Sequence, residues 1–222
     1  MRIHLTTTPN DKPVSFDYQQ KLVGVLHKWL GGDNNEHGNM SLYSFSWLQG
    51  GMKDGNKLAF TKGAKWFISF YDESRIKQIV RNILDSPGMF SGMSVSDVVI
   101  EETPDLSKRN LFYLGSPIFI KKIDKESRET KQLTFNDKEA NDLMTQTLLH
   151  KMEIAGLPTD ESLKVSFDLS YMNRKTKLST YNGIGNRASL CPVFIEGKPE
   201  TKAFAWNVGI GNSTGIGFGS IY

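Results

Sequence analysis

Residues 208–222, VGIGNSTGIGFGSIY, decide how the rest of the chain is read. Glycine stands at 209, 211, 215, 217 and 219. Glycine tolerates positive φ and lets another group come close to the backbone. Consecutive amide N–H groups in such a turn form a concave anion site. A dinucleotide fingerprint is excluded, because that motif opens a helix in an early βαβ unit, and only Ser220, Ile221 and Tyr222 follow Gly219. A phosphate loop is excluded too, since no Gly-Lys-Ser/Thr follows. What is left is a glycine loop closed by one short strand. Gly209, Gly211, Gly215, Gly217 and Gly219 become candidate contacts to a polyanion, although a tight hairpin without a ligand fits the same spacing.

Working outward, the first half has a regular rhythm. Residues 2–7 alternate Ile3 and Leu5 with His4 and Thr6, as a strand does. Residues 18–30 form an amphipathic helix with Leu22, Val25, Leu26, Trp29 and Leu30 on one stripe. His27 sits roughly 130° from that stripe and points away from the core. Gly31-Gly32 ends the helix. A polar loop over 33–39 carries His37, and residues 41–48, SLYSFSWL, read as a strand with Tyr43, Phe45 and Trp47 as a core stripe. A strand over 65–70, a helix over 72–84 and a strand or hairpin over 89–102 complete β-α-β-β-α-β, the ferredoxin-like pattern. Open sheets of this kind are a common platform for RNA.

Residues 103–110 are polar, contain a proline and read as a linker. Beyond them come a strand over 111–122, a helix over 137–155, and extended segments over 163–171, 178–181, 188–195, 201–210 and 217–222. The expected fold class is therefore α+β, with two tandem ferredoxin-like (RRM-like) domains over 1–102 and 111–222 and the glycine-rich loop at the C-terminal end.

Charge and composition narrow the function. The 222 residues carry a net charge of +3. Residues 1–110 are close to balance, whereas 169–195 and 201–222 contain no acidic residue. Arg174, Lys175, Lys177 and Arg187 fall in the first of these stretches and are candidate phosphate contacts. Lys121 and Lys122 are weaker candidates because Asp124 and Glu126 stand beside them. The single cysteine, Cys191, rules out an internal disulfide framework and suits a reducing, cytoplasmic setting. No apolar run approaches the ~20 residues of a membrane span. The four histidines at 4, 27, 37 and 150 are scattered, so neither a metal site nor a cofactor is expected.

With those residues in view, the chain resembles the CRISPR repeat-cleaving endoribonucleases of the RAMP superfamily. Residues 208–221 resemble that superfamily's glycine-rich loop and final strand. Leu114-Gly115-Ser116-Pro117-Ile118 resembles the strand that opens the second domain. His37 followed by SLYSFS resembles the segment in which a catalytic histidine precedes a strand. The resemblance implies metal-independent cleavage of precursor CRISPR RNA within each repeat, with His37 as the main catalytic histidine. Many members carry a tyrosine near the position of His27 and some carry a lysine near that of Ser41, so both positions depart from the pattern while remaining candidate catalytic residues. CRISPR repeat RNA is the implied partner. Subunits of a CRISPR effector complex and a second copy in a homodimer are further partners to test.

In metal-free cleavage the substrate's 2′-hydroxyl attacks the adjacent phosphorus and the 5′-oxygen leaves. The protein removes one proton, delivers another and stabilises the charge that builds on phosphorus. Imidazole performs either transfer near neutral pH. His27 and His37, with Ser41 orienting the strand, would divide that work, and Tyr18 or Lys28 could assist. The products would be a 2′,3′-cyclic phosphate and a 5′-hydroxyl. The alternative is a non-catalytic RAMP subunit that binds guide RNA in an effector complex. It would share the glycine loop and would not need His37. A small-nucleotide enzyme ranks last, for want of a phosphate-binding helix and a metal-ligand cluster.

Overall fold

The computed structural model describes residues 1–31, 40–124 and 129–222. The loop expected over 33–39, with its His37, lies outside the described residues.

The first half contains β1 (Arg2–Thr7), β2 (Val14–Ser15), α1 (Gln19–Leu30), β3 (Tyr43–Phe45), β4 (Met52–Asp54), β5 (Lys57–Ala59), β6 (Lys65–Phe70), α2 (Glu73–Asp85) and β7 (Val95–Glu101). Its main sheet runs β3-β6-β1-β7, with every pair antiparallel. That order is the ferredoxin-like one. Alternation in β1 turns Ile3 and Leu5 to the helix side, where they register against Ile68 and Trp66. Leu22, Leu26 and Trp29 of α1 and Ile76, Ile79 and Ile83 of α2 close that core. Each such side chain contributes about 1.5–3 kcal/mol by leaving water. Tyr43 and Phe45 belong to the same core, and Trp47 packs against its margin. The opposite face of the sheet presents Arg2, Ser44, Ser46 and Ser69, all buried against the second half of the chain.

The second half contains β8 (Leu111–Phe112), β9 (Ile120–Ile123), β10 (Thr130–Leu133), α3 (Ala140–Ile154), β11 (Lys164–Phe167), β12 (Lys175–Tyr181), β13 (Ile184–Leu190), β14 (Val193–Glu196), α4 (Pro199–Val208) and a 3₁₀ turn, Thr214–Ile216. The sheet β11-β14-β8 is extended by one bridge between Leu114 and Ile221. With α3 and α4 as its two helices, the strand order repeats that of the first half.

Residues 201–210 are not extended: most of them belong to α4, the second helix of the unit. Pro199 opens that helix, and the Asp160 carboxylate accepts from the Lys198 amide at 2.8 Å and the Thr201 hydroxyl at 2.6 Å. The strand expected over 111–122 divides into β8 and β9, and the one expected over 217–222 reduces to the Leu114–Ile221 bridge. No helix among the described residues is long and apolar enough to cross a membrane.

Candidate nucleic-acid interface

The glycine loop leaves α4 and is wedged between the two cores. Gly209, Gly211, Gly217 and Gly219 hold φ of 72°, 77°, 90° and 67°. A Cβ on Gly219 would lie 1.9 Å from the Ile210 carbonyl oxygen, and one on Gly211 would lie 2.6 Å from that of Phe119. A Cβ on Gly215 would lie 2.1 Å from Ser41 Oγ, and one on Gly217 would lie 2.7 Å from the Phe45 ring. The glycines thus let the protein's own backbone and side chains approach. Their amides are largely committed as well. Gly209 donates to Ala205 O, Gly217 to Thr214 O and Gly219 to Pro117 O. The expected concavity of bare amides is therefore not built from these three, because closing the loop uses them. The half-exposed rim consists of Asn212, Ser213 and Ile216.

The loop also holds Ser41 and β3 in place. Ser41, half-buried, lies against Gly215 just before β3, and the Tyr43 hydroxyl donates to Gly215 O at 3.2 Å. Trp47 Nε1 donates to Gly217 O at 2.7 Å. From α1, buried Gln19 donates to Ile216 O at 2.5 Å and accepts from Ser179 Oγ at 2.6 Å, joining helix, loop and β12. His27 is half-buried in the last turn of α1, whose carbonyl accepts from the Gly31 amide at 3.1 Å. Two proposed assistants are engaged elsewhere. Tyr18 is buried, which raises its pKa, and its hydroxyl accepts from the Leu48 amide at 3.1 Å. Lys28 donates to Ser86 O at 3.1 Å, tying α1 to the end of α2.

The basic residues do not share one surface. β12 pairs with β13 so that Lys177 faces Ala188 and Leu178 faces Arg187. Alternation therefore puts Lys175 and Lys177 on one face of the hairpin and Arg187 on the other. Arg174 precedes the hairpin and donates to Tyr171 O at 3.1 Å. Among the described residues, no three His, Cys, Asp or Glu side chains gather into a metal-sized cluster.

A second feature was invisible in the sequence. Where the two halves meet, a cleft of about 360 Å³ is lined by His4, Gln49, Lys65, Phe67 and Tyr222, among others. Tyr222 stands 6.4 Å from Phe67 and 6.2 Å from Tyr113, which lies 6.4 Å from Tyr171. Tyr113 and Tyr222 are 43% and 44% exposed. Exposed rings beside lysines, as Lys65 and Lys175 are here, suit stacking by unpaired bases. These aromatics lie far apart in the chain, so no local motif announces them.

The family model for the C-terminal part of CRISPR-associated protein Cas6 matches residues 101–222. The chain belongs to the Cas6 family. Solved structures agree at the level of fold. One described as CRISPR-associated protein Cas6 is 20% identical, with a TM-score of 0.83, covering 100% of this chain and 98% of that one. A Cas6-related protein from Pyrococcus furiosus is 22% identical, with a TM-score of 0.83, covering 100% and 97%. A RAMP protein described as binding different RNA substrates is 21% identical, with a TM-score of 0.85, covering 100% and 98%. No curated protein matches the sequence. In this Cas6 chain the two ferredoxin-like units meet along the glycine loop, and Ser41 abuts it.

Proposed function

We propose that this Cas6-family protein is a metal-independent endoribonuclease that cuts precursor CRISPR RNA within the repeat. The observation that carries the reading is the placement of Ser41 and β3, which follow His37 in the sequence, against the glycine loop. Gly31 closes α1, and Ser41 sits against Gly215 of the glycine loop. In the sequence His37 falls between these two residues, and His27 lies in the last turn of α1.

In the proposed step one imidazole takes the proton of the scissile 2′-hydroxyl. O2′ bonds to phosphorus, the P–O5′ bond breaks, and the second imidazole protonates the departing 5′-oxygen. The ends are a 2′,3′-cyclic phosphate and a 5′-hydroxyl, and no water is consumed. His37 takes the main catalytic role, with His27 as its partner and Ser41 holding the strand. Lys175, Lys177 and Arg174, with the rim of the glycine loop, contact backbone phosphates, which position RNA without reading its sequence. Arg187 would serve the other face of the hairpin.

The test is cleavage of the repeat RNA from the organism's own CRISPR array in EDTA. We expect wild type to cut it and His37→Ala to lose about 100- to 10,000-fold in rate while still binding. A 2′-deoxy nucleotide at the cut should abolish the reaction. Binding without cutting by wild type would instead identify a guide-RNA-holding subunit.

A further inference from the structure

One residue of α3 departs from the ordinary rules of burial. Lys151 is 2% exposed, and its ammonium donates to Val208 O at 3.1 Å, Gly209 O at 3.3 Å and Thr214 Oγ1 at 3.2 Å. Two of those acceptors are carbonyls at the C-terminal, negative end of α4. The third opens the turn beneath the loop's rim. All three acceptors are neutral. The charged groups around it look elsewhere: His150 and Glu153 of α3 are exposed and bonded to each other at 3.1 Å. The last turn of α4 and residues 209–216 carry no ionisable side chain, and the ionisable group that β3 brings to the loop is the Tyr43 hydroxyl. Lys121 and Lys122 of β9 are exposed, the latter paired with Glu139.

An ammonium buried without a counter-ion costs several kcal/mol, and a methionine would fill the space without that penalty. Resting on the RNA-binding reading above, we infer that Lys151 is a positioning residue for bound RNA: a buried cation whose field, acting through the 213–216 turn, holds a backbone phosphate against the rim at Asn212, Ser213 and Ile216. In low dielectric such a charge acts at longer range than a surface lysine does. Burial lowers its pKa to about 7, so the free protein loses this charge just above neutrality. A nearby phosphate raises the pKa again. RNA binding therefore takes up a proton at alkaline pH, and affinity falls as pH rises.

The experiment is fluorescence anisotropy with labelled repeat RNA made uncleavable by 2′-O-methyl riboses, at about pH 6.5 and about pH 8.5. Wild type should weaken about ten-fold across that range. Lys151→Arg, charged throughout, should keep the acidic-side affinity at both values, and an Arg variant that weakens with pH as much as wild type does overturns the inference. Lys151→Met should be weak at both. A Lys151→Met protein with wild-type affinity overturns the inference, and so does one that is weaker yet keeps the wild-type pH step, since that marks a structural clip. If Lys151→Met does not fold, calorimetry of wild type at about pH 8.5 in two buffers of different ionisation enthalpy decides. Proton uptake on binding is expected, and none overturns the inference. Failure of wild type to bind the repeat at either pH would overturn the RNA-binding reading and this inference with it.

Discussion

Asp160 accepts four hydrogen bonds: from the Ser162 amide and hydroxyl at 3.1 and 2.6 Å, the Lys198 amide at 2.8 Å and the Thr201 hydroxyl at 2.6 Å. Burial opposes its ionisation, but these donors outweigh burial and bring the carboxyl down to about 2. In the unfolded chain an aspartate titrates near ~3.9. Because the folded value is the lower one, the stabilisation is fully present above about pH 4 and is lost as pH falls toward 2. Asp160→Asn should lose about 1–3 kcal/mol at neutral pH, since the α4 cap is weakened. Urea melts of the two proteins should draw together as pH drops from about 5 to about 2.5. A gap independent of pH would show that the carboxylate's charge is not what matters.

At the scale of elements, the glycine loop separates two kinds of glycine. Gly219 holds φ at 67°, and a Cβ there would meet the Ile210 carbonyl oxygen at 1.9 Å, a backbone atom with nowhere to go. Gly215 lies outside the positive-φ set, and its obstacles are side-chain atoms, the Ser41 hydroxyl at 2.1 Å, Ser41 Cβ at 2.9 Å and the Tyr43 hydroxyl at 3.0 Å, which a shift of Ser41 can relieve. Gly219→Ala should therefore cost about 3 kcal/mol or more, or prevent folding. Gly215→Ala should fold with a smaller loss and displace Ser41. Thermal denaturation of both variants checks the contrast, and equal losses would contradict it. The glycines were legible in the sequence as a pattern; the groups they admit, Phe119, Phe45, Ser41 and Ile210, were not, because they come from elsewhere in the chain or face the loop only once it closes. The same limit explains α4. α1 and α2 each bury one stripe, so a 3.6-residue period shows in their sequences. α4 is buried nearly all round, with Thr201, Lys202, Phe204, Ala205, Trp206, Asn207 and Val208 inside, so no polar face marks its period. Its cap is supplied by a residue 38 positions earlier. Pro199, with Glu200 after it in the first turn, was the local sign of a helix start.

At the scale of the molecule, polar contacts run along the seam between the two cores beside ring contacts such as Tyr71–Phe204. Arg2 is the most deeply engaged of these. Its guanidinium donates to Ser69 Oγ at 2.6 Å, Trp206 O at 3.1 Å and Ile221 O at 2.7 Å. It also lies 4.0 Å from the Phe67 ring centroid and 3.5 Å from that of Trp206. Burial lowers its pKa to about 9, still well above neutrality, so the charge is kept. Ser44 Oγ to Asn207 O at 3.0 Å and the Trp47 amide to Gly115 O at 2.9 Å continue the seam. The serines on this face are small enough to let the second unit sit directly on the sheet, where larger apolar residues would have called for covering helices. Arg2→Met removes three donors and leaves the Trp206 and Ile221 carbonyls without them in a dry seam, so it should cost about 3 kcal/mol or more. Arg2→Lys should not restore this, because a single ammonium cannot serve Ser69, two divergent carbonyls and two ring faces at once. Hydrogen exchange is the discriminating measurement. In wild type the amides of β1 and β6 should exchange at the same opening free energy as those of β14, as expected of one cooperative unit. In Arg2→Met the two sets should separate, with one core opening before the other. If they stay together and the melting temperature is unchanged, the seam is held by shape and apolar contact, and Arg2 contributes nothing that a methionine could not.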